Sequence, residues 1–175
     1  MTEYKGTAFN LFVKQNALFT ANLTSLNEHY AVTCIVRNPV DVFMSWWSIN
    51  LPVSKGRLPA AEKFDSDLAK TLEKNGVFWR QMRIYEWFCH QFKHSKSPVI
   101  KYEDIISSGG KCLFDACELN EAKLESLNTP ERQFKPEELK ILKNQSKAIL
   151  NLNTQGFYSL NDISGRLNQL LSNID

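Results

Sequence analysis

Glycine and proline are scarce in this chain, at seven and six among 175 residues. That scarcity excludes collagen-like and low-complexity architectures, and without a Ser/Gly-rich stretch or a single-sign charge run there is no long linker between domains. No C-x-x-C pair occurs among Cys34, Cys89, Cys112 and Cys117, which sit in apolar-patterned segments. Buried thiols are therefore expected, rather than a disulfide framework or a zinc site. Excess charge is also missing: 21 Lys and Arg against 19 Asp and Glu leave +2. Non-specific nucleic-acid binding needs a denser basic surface, so any anion site has to be local. The apolar runs are too short for a membrane span, and the opening Met-Thr-Glu-Tyr-Lys-Gly has no basic-then-apolar leader pattern. The expectation is a cytoplasmic protein with neither nucleic acid nor membrane as partner.

What the chain does have is 43% hydrophobic and 11% aromatic residues, enough to bury one sizeable core. Periodicity places short strands at 9–13, 31–36 and 99–104, the second supported by β-branched Val32, Thr33, Ile35 and Val36. Helices are expected from Asn16 to about 26, from Pro39 to about 50 and from Val77 to about 94. The last of these carries a core stripe of Phe78, Met82, Tyr85, Cys89 and Phe92. A loop over 52–59 leads into an exposed helix closed by Gly76. Shorter helices follow at about 109–119, from Pro136, and from Asn161 or Asp162, the last with Ile163, Leu167, Leu170 and Leu171 inward. Strands spaced by helices indicate an α/β fold: a parallel sheet of few strands, covered on both faces, with a helical C-terminal part.

The pattern with most chemical content is Arg37 at a strand end with Ser45 eight residues on, in the following helix. Asn38 can cap that helix, Pro39 suits its first position, and Asp41 meets the positive end of its dipole. A guanidinium and a hydroxyl beside a helix start suit a phosphate, since Arg can donate two charge-assisted hydrogen bonds. The alternative is structural, with Arg37 paired to a carboxylate and Ser45 bonded to its own helix. Trp46 and Trp47 read as core or subunit contact, and His90 and His94 as a solvated helix edge. Ser107 to Cys112 lacks the first glycine and the hydroxyl of a nucleotide-kinase phosphate loop and reads as a helix cap. No metal ligand set is expected.

The segment Cys34-Ile35-Val36-Arg37-Asn38-Pro39-Val40-Asp41-Val42-Phe43-Met44-Ser45 resembles the R-[DN]-P-x-D-x-x-x-S segment of sulfotransferases, whose core is P-loop-like. Phe12-Val13-Lys14-Gln15-Asn16 is similar to the family's strand end that bears a lysine and an acid/base residue. Val99 to Ile105 is similar to its v-x-Y-E-D-L strand. The resemblance spans roughly residues 9–120 of a single domain over 1–175, with 121–175 as helical extension. It implies that Arg37 and Ser45 bind the 3′-phosphate of PAPS, or of adenosine 3′,5′-bisphosphate, and that Lys14 stabilises the transferring sulfuryl group. Asn16 stands where many members place a histidine base, and an amide takes no proton.

The family's first strand and 5′-phosphosulfate loop belong upstream of Phe9, where eight residues stand, so the resemblance implies the 3′ half of the donor site. Two functions are therefore expected as alternatives: sulfuryl transfer from PAPS to an unidentified hydroxyl or amine, or a non-catalytic nucleotide-binding or interaction module. A sheet lacking that strand is expected to have the gap filled by Thr2 to Thr7 or by another chain's segment, or to bury its apolar surface in a homodimer, the favoured outcome.

Overall fold

A computed structural model describes residues 14–73, 75–117 and 133–172. The expected strand at 9–13 lies outside the described residues, as does most of the loop before Pro136. Among the described residues the sheet consists of β1 (Cys34–Val36) and β2 (Val99–Lys101), paired in parallel with Cys34 opposite Val99 and Val36 opposite Lys101. Both strands are shorter than the sequence indicates: β1 starts only at Cys34 and ends at Val36 as expected, while β2 stops at Lys101. Past Val36 the chain enters Arg37-Asn38-Pro39, and proline has no N–H to extend a ladder. The partner strand then has nothing to pair with, and residues 102–104, expected as strand, open helix α7 instead (Tyr102–Ser107; α1 to α6 are given below), with Glu103 and Asp104 in its first turn.

Before the sheet lie α1 (Asn16–Ala21) and α2 (Leu23–Asn27). After β1 comes α3 (Pro39–Trp47), begun by the Asn38 side chain, which accepts a hydrogen bond from the Val40 N–H at 3.0 Å. A 3-10 turn (Pro52–Lys55) follows. The single exposed helix expected before Gly76 is two short ones, α4 (Pro59–Glu62) and α5 (Ser66–Thr71). Asp65 causes the break. Its carboxylate caps α5 by accepting from the Asp67 and Leu68 N–H groups, and also receives the Trp87 indole N–H at 2.7 Å. Gly76 does not close that stretch: Asn75 takes the left-handed conformation (φ 74°), an accepted use of Asn, while Gly76 is extended and starts α6 (Val77–His94). The glycines that do need a positive φ here are Gly109 and Gly110, which turn the chain from α7 into α8 (Lys111–Ala116) and make 107–112 a helix entry.

The C-terminal helices are α9 (Pro136–Leu150) and α10 (Leu160–Leu171). Ser159 caps α10 one residue earlier than expected and forms a reciprocal pair with Asp162. These helices complete the main core. Val36, Phe43, Tyr85, Leu142, Ile149 and Leu167 are all buried in one cluster, so β1, α3, α6, α9 and α10 share one apolar interior. A smaller cluster of Ala61, Leu68, Leu72 and Ile84 seats α4 and α5 on the other side of α6. Among the described residues, two-sided coverage of the sheet is not observed. Cys34 and Val36 face inward, whereas Ile35 between them is 45% exposed. The chain is thus broadly α/β and mostly helical, with the sheet's chief role being to aim the turn at Arg37.

Candidate functional site

The peptide unit joining Arg37 to Asn38 is held at both of its polar atoms. The Tyr85 hydroxyl, from α6, donates to the Arg37 carbonyl at 2.9 Å, and the Glu103 carboxylate, from α7, accepts from the Asn38 N–H at 2.9 Å. Locking this plane removes the rotation that would swing the Arg37 side chain. The guanidinium itself lies over the Tyr102 ring, 4.7 Å from its centroid, an attraction between a cation and a π face. Glu103 is in turn held by Tyr158, whose hydroxyl donates to its second oxygen at 2.5 Å. Burial, and then that contact with Glu103, push the Tyr158 hydroxyl's pKa up, and burial pushes Tyr85 up too. Both phenols stay protonated and remain donors.

Arg37 has no carboxylate partner. Its Nε is buried with no hydrogen-bond acceptor, and no ion pair joins the guanidinium to a described residue. The other described arginines are engaged: Arg57 with Glu62, Arg80 with the Asn75 and Lys55 carbonyls, Arg83 with Glu86, and Arg166 with Asp41. Two acids at this junction are spent elsewhere. Asp41 takes a bidentate pair from Arg166 on α10, at 2.9 and 2.7 Å, while Glu103 serves the backbone and Tyr158. Ser45, half-buried in the second turn of α3, gives its carbonyl to the Ser48 hydroxyl, and its own hydroxyl makes no hydrogen bond to a described residue. Neither element of the structural alternative is observed.

The helix start itself offers an anion little. Proline fills its first position and Asn38 already caps Val40, so the donors left at this junction include the side chains of Arg37 and Ser45. Removing the support beneath them is testable. Tyr158→Phe keeps the ring and deletes the donor to Glu103; the expected loss is about 1–3 kcal/mol of stability by urea denaturation, because a partly buried carboxyl group loses its hydrogen-bond donor. An unchanged midpoint would show that Glu103 does not depend on Tyr158.

Lys14 and Asn16 sit elsewhere. They line an open groove of about 440 Å³ between the start of α1 and the segments at 51–53 and 57–60. Arg37 and Ser45 are not among its lining residues, so the four site residues expected from sequence do not share one pocket. Arg57, which sequence reasoning did not single out, joins Lys14 in the groove. Tyr85 was visible only as one member of an apolar stripe. The signal that could have found its role is a tyrosine where phenylalanine would fill the same space, since a buried hydroxyl needs a partner.

His90 and His94 are exposed at the end of α6 with ring centroids 4.2 Å apart, and among the described residues no group of three His, Cys, Asp or Glu could hold a metal. Trp46 and Trp47 are packing residues: both contact Phe43, and the Trp47 indole donates to the fully buried Gln81 at 3.0 Å. All four cysteines are free, with Cys34 and Cys89 buried and Cys112 and Cys117 half-buried; burial pushes the Cys89 thiol up to about 12. No described helix is long and apolar enough to cross a membrane. Compared with known proteins, the chain matches no family model, no curated protein and no solved structure.

Proposed function

We propose that this chain is a sulfotransferase-like protein that binds the 3′-phosphate of PAPS or adenosine 3′,5′-bisphosphate through Arg37 and Ser45. The observation that carries the reading is the Arg37 guanidinium, oriented by a locked peptide and an aromatic ring yet left without an anionic partner among the described residues. A buried polar atom with no partner costs free energy, and a phosphate oxygen would supply the missing acceptor. Lys14, in the groove, is the cation available to a transferring sulfuryl group, whose charge it would stabilise electrostatically.

The test is titration calorimetry of the whole chain with adenosine 3′,5′-bisphosphate and with adenosine 5′-monophosphate. The bisphosphate is expected to bind, and the 5′-monophosphate at least about tenfold more weakly, as loss of a charge-assisted contact predicts. Equal affinities, or no heat with either, would refute the 3′-phosphate assignment.

One observation favours a second, non-catalytic reading. Among the described residues lining the groove there is no His, Asp or Glu, so beside Lys14 and the Asn16 amide nothing is placed to take a proton from an acceptor hydroxyl. On this reading the chain is a nucleotide-binding module. Turnover of PAPS with a phenolic or amine acceptor separates the two.

A further inference from the structure

The groove at Lys14 has three properties that together define a ligand. Much of its lining is apolar, with Leu51 56% exposed and Pro52, Val53 and Leu58 also lining it. Its polar side has two cations, Lys14 and Arg57, and no carboxylate. Glu62 already holds Arg57 and accepts from the Leu58 N–H, whereas no ion pair joins Lys14 to a described residue.

The wall is also built. Fully buried Gln81 donates to the Val53 carbonyl at 3.0 Å, and Arg80 donates to the Lys55 carbonyl at 2.9 Å. Gly56 turns the segment with φ 67° so close to Arg80 that a Cβ would lie 2.8 Å from that side chain. With two prolines fixing their own φ, the segment cannot readily fold down over Leu51, and no described residue buries Leu51 or Pro52.

We propose that this groove binds a small anionic amphiphile, with an apolar body of roughly ten carbons on Leu51, Pro52, Val53 and Leu58 and a carboxylate head at Lys14 and the Asn16 amide. A purely apolar ligand would leave Lys14 unpaired, and a bare anion would leave the apolar wall in water. Charge complementarity rules out a cationic one. The inference shares Lys14 with the sulfuryl-transfer reading but uses neither Arg37 nor Ser45, so its failure is distinguishable from failure of the 3′-phosphate assignment.

The experiment is a nitrogen-15 NMR titration of the whole chain with decanoate, decanol, acetate and decyltrimethylammonium, each below its micellar concentration. Decanoate is expected to give saturable shifts at Asn16, Ala17 and residues 51–60. Decanol is expected to bind about tenfold more weakly, and the other two not at all. Lys14→Gln should reduce decanoate affinity to that of decanol while leaving decanol unchanged. Leu51→Asp, at an exposed position the fold does not depend on, should weaken both. Equal binding of decanoate and decanol, equal binding of acetate and decanoate, or shifts outside the groove would each overturn the proposal.

Discussion

Replacing Phe43 by alanine is expected to cost about 3–5 kcal/mol of stability, close to the whole margin of a domain this size. Phe43 is fully buried and meets four rings: Trp46 at 5.6 Å, Trp47 at 6.1 Å, Phe78 at 5.4 Å and Tyr85 at 5.9 Å between centroids. Those rings come from α3 and α6, and the cavity could not be filled by relaxation of one helix alone. Tyr85 is among them, so the substitution also loosens the residue that holds the Arg37 carbonyl. Phe43→Leu keeps most of the volume and should cost less than about 1.5 kcal/mol. Urea denaturation of both variants checks this. A loss below about 1 kcal/mol for the alanine variant would mean that the aromatic cluster is not the centre of the core.

Arg37→Ala is expected to do the opposite, sparing the fold while removing the ligand. Binding of adenosine 3′,5′-bisphosphate should weaken by about 1.5–3 kcal/mol, the usual worth of a hydrogen-bonded charge, or roughly ten- to a hundredfold in affinity. Stability should change by less than about 1 kcal/mol, because no ion pair is lost and only the stacking on Tyr102 goes. Arg37→Lys should recover little of the affinity, since an ammonium cannot present the paired donors of a guanidinium. Calorimetry and urea denaturation on the same variants read both effects. A fall in stability above about 3 kcal/mol with unaltered nucleotide affinity would make Arg37 a structural residue and end the phosphate reading.

Two features around the candidate site are legible in the amino-acid order alone. Asn38-Pro39 with Asp41 states a helix start through local chemistry, and α3 begins there. The stripe from Phe78 to Phe92 likewise faces the core, because a period of 3.6 residues is a property of neighbouring positions in one helix. Local pattern misleads where a residue's state depends on distant partners. Residues 102–104 look like strand by composition, and they become helix because the opposing chain turns away at Pro39. Gly76 looks like a helix stop, and it is instead the extended residue that starts α6.

By itself, then, the sequence determined the helix start beyond Arg37, the buried thiols at Cys34 and Cys89, the apolar faces of α6 and α10, and the presence of an arginine and a serine at phosphate-suited spacing. Whether that arginine is free was decided only in three dimensions. Asp41 could have served it and is drawn off by Arg166, 125 residues away; Glu103 could have served it and is taken by the Asn38 N–H and Tyr158. Which carboxylate meets which cation depends on how helices from opposite ends of the chain pack around a shared core, and local periodicity carries no information about that choice. The same holds for the groove, whose apolar wall stays open because Gln81 and Arg80, on α6, hold the carbonyls of a segment about 25 residues earlier.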